Sequence, residues 1–463
     1  MICIMPIIYK SPNLLTKQEF SNQSVNITQI NQKFNYRNDT ISFGQSPKIP
    51  QKALNSLEQM KKKFGDQLIL ENKNELDGLQ NGIEIFKDLS FSQIAYVLQN
   101  LKMVMLQRGC NNACLHCLIE AQTPYHMKAN NYLDKMAFED FENLCNGFKE
   151  INKRLGFNAM YNPNTYNGLF YDADCSKISI QDKKGTEYDY ADLAKMFHQT
   201  TGNVIIFDTA GWNINDTKTQ KRMDALVQKV VNSDDYNFLQ FNISINPFHS
   251  IYNKSIELKE QGKKEEAKKL YDIHINRMAN VIYTFSPLME KTNSVTSKNM
   301  LNFLLRGLFD FTDLYGYRAY DTKILFKDII EKVNKMYTED FESGRHKVIN
   351  SKKQKDDYYY FLLAKSEKRI ELINLCNEKL INKLGDISAG EWYVVRENSF
   401  NSALEGSRFD SGFIDANGKF YMTNYIETYP TDIVLNFQNK DKPTAPIKPN
   451  LRDEVITKDI IEK

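Results

Sequence analysis

The spacing of hydrophobic positions changes along the chain and divides it into predicted helices and strands. From residue 51 to residue 102, apolar residues recur every three or four positions, as at Leu54 and Leu57, which is the period of a helix with one buried face. A second helix is predicted to begin after Ser90, whose hydroxyl can accept a backbone N–H of the first helical turn. Residues 1–50 are rich in Asn, Gln, Ser and Thr and lack this period, so we expect them to be disordered or loosely attached.

Short apolar runs then alternate with longer amphipathic segments. Strands are predicted at 102–107, 168–175, 203–213 and 238–246, and the run at 299–307 fits a strand or a helix. Helices are predicted at about 134–153 (with Asp134 as the cap), 187–200, 217–232, 255–285 (a hairpin broken near Gly262) and 321–341. Apolar strands separated by helices are typical of parallel α/β proteins. We therefore predict a partial (β/α)6 TIM-like barrel.

The C-terminal part follows a different pattern. The run YYYFLLAK at 358–365 is compatible with either element, and its context favours a helix that continues to about residue 384. The segment 392–397 is strand-like, and 413–425 predicts a β-hairpin with its turn at Asn417–Gly418.

These patterns give five predicted regions. They are the N-terminal segment 1–50, a helical extension 51–101, the barrel core 102–345, a C-terminal α+β extension 346–438 that could complete the barrel, and an exposed tail 439–463.

Composition narrows the class of protein. The 463 residues include 60 basic and 58 acidic side chains, a formal net charge of +2, so nothing in the total suggests a nucleic-acid binder. The sequence has no apolar run of the roughly 20 residues that a membrane-spanning helix needs, and no signal peptide is apparent. The seven cysteines are odd in number and mostly scattered, which favours a reducing compartment. We expect a cytoplasmic protein without a membrane partner.

Three of the cysteines are candidate metal ligands. Cys110, Cys114 and Cys117 have the spacing C-x3-C-x2-C and directly follow the first predicted strand of the alternating series. A cubane iron–sulfur cluster normally takes four cysteine ligands, so three leave one iron open to a small molecule. A zinc site and a redox-active dithiol at Cys114 and Cys117 are the alternatives, although structural zinc takes four ligands and no second short-spaced pair is present.

In this position the motif resembles the signature of the radical S-adenosylmethionine (radical SAM) superfamily. The resemblance implies a [4Fe–4S] cluster on the three cysteines, S-adenosylmethionine on the fourth iron and hydrogen abstraction by a 5′-deoxyadenosyl radical. It also implies an electron donor such as flavodoxin or ferredoxin. His116 stands where the family usually has another aromatic residue.

The resemblance also suggests cofactor contacts. Asp174 matches the acidic position of the Gly-Gly-Glu-Pro motif that holds the methionine amino group, but the glycines are missing. Ser244 and Asn246 alternate onto one face of a predicted strand, where the family contacts the ribose and carboxylate. Arg306 is a further candidate for the cofactor carboxylate.

Three other notable residues lie near the predicted strand ends. His249 is a candidate acid, base or substrate contact, and Cys175 is a candidate relay. Trp212 is expected to pack in the core rather than flank a substrate.

The predicted function is therefore a radical SAM enzyme acting on an unidentified peptide or small molecule. Two alternatives stay open, a non-catalytic cluster-binding scaffold on a degenerate barrel and a zinc-stabilised domain.

Overall fold

The computed structural model describes a large part of the chain. The described residues are 78–110, 112, 124–162, 166–170, 172–245, 249–292, 301–305, 322–367, 411–423 and 428–445. All of them belong to one compact unit, Gly44–Lys463. The predicted segment 1–50, the first part of the helical extension and the strand-like run at 392–397 lie outside these residues.

Ten strands lie within the described ranges. They are β1 (Leu101–Val104), β2 (Tyr166–Gly168), β3 (Ser179–Gln181), β4 (Glu187–Asp189), β5 (Val204–Thr209), β6 (Leu239–Ile245), β7 (Leu301–Leu305), β8 (Ser411–Ile414), β9 (Lys419–Thr423) and β10 (Thr428–Val434). Eight of them form the central sheet in the order β10-β9-β8-β1-β2-β5-β6-β7, and β3 pairs with β4 in a separate two-stranded sheet.

The described helices follow the same alternation. They are α1 (Phe91–Asn100), α2 (Pro124–Ala129), α3 (Phe138–Leu155), α4 (Tyr190–Thr201), α5 (Thr217–Asn232), α6 (Ser250–Glu260), α7 (Lys264–Phe285), α8 (Leu288–Thr292) and α9 (Thr322–Glu342). Helical backbone also covers 352–367.

The central sheet is mostly parallel. Strands β8, β1, β2, β5, β6 and β7 all run in one direction, whereas β9 pairs antiparallel with both β8 and β10. From β1 to β7 the strand order in space follows the order in the chain, without the reversal of a doubly wound sheet. The carboxyl ends of these strands therefore meet at one edge of the sheet.

The two faces of the sheet differ in chemistry. Phe207 of β5 and Phe241 of β6 pack against Phe285 of α7, with ring centroids 5.6 and 5.5 Å from it. Tyr190 of α4 contacts Phe207 at 5.1 Å, so helices cover this face.

Residues that alternate with these aromatics lie on the opposite face. Asp208 is the register partner of Asn242, and side chains at paired positions share a face. Gln240 and Ser244 lie two residues on either side of Asn242, and the Gln240 amide donates to Asn242 at 3.3 Å. We call these four residues, Asp208, Gln240, Asn242 and Ser244, the polar face.

Several predicted elements are confirmed. Ser90 caps α1 in a capping box with Gln93, and α5 has the predicted bounds. The helical hairpin breaks at Gly262, and the ambiguous run at 299–307 forms β7, which pairs with β6. The hairpin turn at Asn417–Gly418 is also correct.

The predicted start of α3 was wrong. The helix begins at Phe138, with Ala137 rather than Asp134 at the cap position. The Asp134 carbonyl accepts the Arg108 N–H at 2.8 Å, and the Met136 N–H bonds to the Leu106 carbonyl at 3.0 Å. Because this backbone pairs with the chain that follows β1, it is not available to start a helix.

The strand predicted at 168–175 was misplaced, because the observed strand, Tyr166–Gly168, shares only Gly168 with it. Strand β2 ends at Gly168, and the next N–H, that of Leu169, donates to the Tyr190 hydroxyl at 3.4 Å instead of to a strand. Asp174 then captures the Ser176 N–H at 3.0 Å and begins a short 3-10 turn. Aspartate side chains commonly compete with strand pairing in this way.

One further expectation is corrected. Residues 187–189, predicted as the start of a helix, form β4, and α4 begins at Tyr190 after the Asp189 cap. In the described part of the predicted tail, residues 441–443 are exposed and Ala445 is 2% exposed.

Candidate functional site

The backbone adopts a left-handed conformation just before the first cysteine of the motif. Gly109 has φ +89°, a left-handed conformation that favours glycine, and it connects the extended chain after β1 to Cys110. The Cys110 side chain is partly exposed. Cys114 and Cys117 lie outside the described residues. The structure therefore locates one of the three predicted ligands, beyond the carboxyl end of a central strand.

A buried arginine anchors the chain just before Gly109. Arg108 donates through Nε and Nη2 to one oxygen of Asp172, at 3.1 and 3.0 Å. Its Nη1 donates to Asp415 at 3.4 Å and to the Ala445 carbonyl. Burial raises the pKa of Asp172, although Arg108 opposes the shift. Arg108 thus ties the cysteine motif to the end of β2 and to the β8–β9 turn.

Asn112, inside the cysteine motif, is 8% exposed and forms hydrogen bonds with four residues. Its N–H donates to Cys110 Sγ at 3.4 Å, and its side-chain nitrogen donates to Asp174 Oδ2 at 2.8 Å. Its side-chain oxygen accepts from Arg277, and its carbonyl accepts from the Ser250 hydroxyl at 2.9 Å. Sequence reasoning missed this residue, because these partners come from distant parts of the chain.

The carboxylate of Asp174 is surrounded by protein donors. Oδ1 accepts from the Ser176 N–H and hydroxyl at 3.0 and 2.6 Å and from the Thr209 hydroxyl at 2.7 Å. Oδ2 accepts from Asn112 and from the Ala210 N–H at 2.9 Å. A carboxylate offers about four acceptor positions, so protein donors already saturate this one. Apart from the neighbouring Ser176, the donors come from the end of β5 and from the cysteine motif, and Asp174 therefore joins these two parts to the segment that follows β2.

Arg277 of α7 extends this network. It donates to Asn112 and to the carbonyls of Ala210 and Gly211. Gly211 has φ +87°, and a Cβ there would lie 2.7 Å from Met278 Cε. The missing side chain lets α7 approach the end of β5 closely. No sequence signal marked Arg277, which lies inside an ordinary helical period.

The cofactor residues predicted on β6 are only partly described. Ser244 is partly exposed and lies on the polar face, while Asn246 lies outside the described residues. Arg306, which follows β7, also lies outside them. Asp208 and Asn242, which the sequence analysis did not select, lie beside Ser244 on that face.

His249 is buried instead of standing on a surface loop. It is 1% exposed and caps α6, where Nδ1 accepts the Ile251 N–H at 3.2 Å. Its ring lies 5.4 Å from that of His274. These contacts give His249 a defined place in the fold.

Cys175 is fully buried on the helix-covered side of the site. Its sulfur accepts the Asp208 N–H at 3.2 Å, and burial followed by the nearby Asp208 carboxylate raises the pKa of the thiol well above its usual value. Trp212 is 1% exposed and donates to Gln220 at 3.0 Å, so the expectation that it packs in the core is confirmed.

Of the three candidate ligands in the cysteine motif, the structure describes Cys110 alone. Its side chain is partly exposed and its sulfur accepts the Asn112 N–H. Hydrogen bonds to cysteine sulfurs are a recurring feature of iron–sulfur clusters.

Comparison with family models, with curated proteins and with solved structures finds no match for this chain. Within the described residues, no helix is long and apolar enough to cross a membrane.

Proposed function

We propose that the chain is a radical SAM enzyme whose Cys110, Cys114 and Cys117 hold a [4Fe–4S] cluster. The observation that supports this most is the placement of Cys110, which follows β1 at the carboxyl edge of a mainly parallel sheet. In barrels of strand–helix units, chemistry takes place at this edge. The proposal includes the finer architecture, a partial (β/α)6 barrel, because the strands are wound in sequential order.

The cluster would supply one electron for cleavage of S-adenosylmethionine, and the resulting 5′-deoxyadenosyl radical would abstract hydrogen from the substrate. The chain itself would bind and orient S-adenosylmethionine and the substrate and shield them from water. Asp208, Asn242 and Ser244 present polar groups on the face without the packed aromatic rings, and we assign them to contact S-adenosylmethionine or substrate. Asn246 and Arg306 remain proposed contacts for the same ligand. Cys175 and His249 are proposed only as supporting groups, because both are buried and hydrogen-bonded.

The substrate class stays open between a peptide and a small molecule. The proposed electron donor is a flavodoxin or ferredoxin. The free thiols of Cys145 and Cys175 favour a reducing compartment, and we place the enzyme in the cytoplasm on that ground.

The test is anaerobic reconstitution of the full chain with iron and sulfide, followed by dithionite and S-adenosylmethionine. We expect close to four irons and four sulfides per chain and the appearance of 5′-deoxyadenosine. Cys110→Ser should lose most of the iron and all of the product, because one of three ligands is removed.

Cys145→Ala is the matched control. Cys145 is another cysteine, but its thiol is buried in α3, and burial raises its pKa to about 12. This variant should retain iron and product. If both variants behave alike, or if the wild type binds zinc without iron and sulfide, the proposal is wrong.

A cluster-binding scaffold is the second candidate, and one observation favours it. Asp174, the residue matching the acidic cofactor-binding position, already accepts five protein hydrogen bonds. A stable cluster that yields no 5′-deoxyadenosine would support the scaffold and exclude the enzyme.

A further inference from the structure

We infer that Asn112 is a positioning residue, clamped between Asp174 and Arg277, that holds Cys110, the first cysteine of the motif, in the position needed to bind metal. Asp174 then serves to hold Asn112 in place and does not contact a bound ligand. The identity of the metal group rests on the proposed function, but the clamp itself rests on contacts within the chain.

The first argument is that every polar group of Asn112 has a partner. The backbone N–H bonds to Cys110 Sγ, and the backbone carbonyl accepts from Ser250. The side-chain nitrogen and oxygen bond to Asp174 and Arg277. One residue therefore links the first cysteine to three distant parts of the fold.

The second argument is electrostatic. The amide N–H group faces a carboxylate, and the amide oxygen faces a guanidinium, so both bonds involve a charged partner. Reversing the amide would place oxygen against Asp174 and N–H against Arg277. Bonds to charged groups contribute more than neutral ones. The two charges thus determine the orientation of this side chain.

The third argument is that the partners are themselves fixed. Asp174 is held by Ser176, Thr209 and Ala210, and Arg277 by the carbonyls of Ala210 and Gly211. Asp174 and Arg277 are each 7% exposed. Through these contacts, β2, β5 and α7 determine where Cys110 lies, as residues that support metal ligands commonly do.

The test compares Asn112→Ala with Asn203→Ala in the full chain. Asn203 is a matched control for Asn112. It is 3% exposed, and its side-chain amide donates to the Met160 carbonyl at 2.9 Å and to Asn167 at 2.7 Å. It precedes β5, at the opposite edge of the sheet. Both variants lose a buried, hydrogen-bonded amide, but only one loses the clamp.

The first readout is the alkylation rate of Cys110 in metal-free protein, followed by peptide mass spectrometry. Loss of two bonds to charged partners should raise this rate by about 10- to 100-fold in Asn112→Ala and leave it near wild type in Asn203→Ala. The second readout is iron retention against a chelator after reconstitution, which should fall by about 10- to 100-fold in Asn112→Ala alone.

A second variant guards against simple misfolding. Asn112→Asp places a carboxylate 2.8 Å from an Asp174 oxygen, so the motif should loosen and Cys110 should react faster. Adding Asp174→Asn removes the repulsion and should lower the rate again.

Equal labelling in the two alanine variants, or no fall in the double variant, would overturn the inference. If the wild type binds no cluster, the proposed function fails, yet the labelling rates still decide whether the clamp exists.

Discussion

Replacing Arg108 by methionine should strongly destabilise the fold around the cysteine motif. The Arg108 side chain is 1% exposed, and those of Asp172 and Asp415 are 3% and 0% exposed. Removing the arginine leaves two carboxylates buried near each other with no cation between them. Removing one partner of a buried ion pair typically costs about 3–5 kcal/mol.

The assay is thermal unfolding of the full chain at neutral pH. A loss of about 3–5 kcal/mol should lower Tm by roughly 6–10 °C, taking about 2 °C per kcal/mol for a large domain. The control is Lys268→Met, which breaks the exposed pair with Asp272 on one turn of α7, where the side chains are 69% and 50% exposed. Such pairs contribute about 0.3–0.5 kcal/mol, so Tm should hardly move.

The pH dependence provides a second check. Burial already raises the pKa of Asp172 in the wild type, and without Arg108 the pKa should rise further. The native state then binds more protons than the unfolded state. Stability is therefore greatest below the unfolded pKa and is lost as pH rises through the folded pKa. The defect of Arg108→Met should shrink on acidification. A variant as stable as Lys268→Met, or a defect that grows in acid, would refute this reasoning.

Other expected outcomes test other parts of the site. Gly211→Ala should cost about 1–3 kcal/mol more than Gly262→Ala in thermal unfolding, because both have positive φ but only at Gly211 would a Cβ meet neighbours at 2.7 and 2.8 Å. Cys175 should resist iodoacetamide at pH 9 in folded protein while Cys110 reacts, since burial keeps Cys175 protonated; equal reaction would contradict the buried, hydrogen-bonded thiol. Asp208→Asn should raise KM for S-adenosylmethionine or substrate at least about tenfold with cluster content unchanged, and a lost cluster would show a different role.

Local patterns in the sequence predicted many elements well. The bounds of α5, the Ser90 cap of α1 and the Asn417–Gly418 turn each depend on residues close together in the chain. Such elements are legible because helical period, cap and turn chemistry act over a few positions. Predictions were wrong where the backbone forms hydrogen bonds with a distant segment. The Asp134 carbonyl, for example, accepts the Arg108 N–H, and α3 begins after it.

Pairing between remote segments could not be predicted in this way. The hairpin was predicted, but its parallel pairing with β1, and so its place in the central sheet, was not. Strand partners separated by about three hundred residues leave no periodic signal in either segment.

By itself the sequence determined the alternation of strands and helices and the position of Cys110 after the first strand of that series, because period and spacing are properties of neighbouring residues. Only the tertiary structure decided which side chains surround that cysteine. Asn112, Asp174 and Arg277 meet there because the strand ends converge at one edge of the sheet, and a buried hydrogen-bond network forms only after that convergence has removed its members from water.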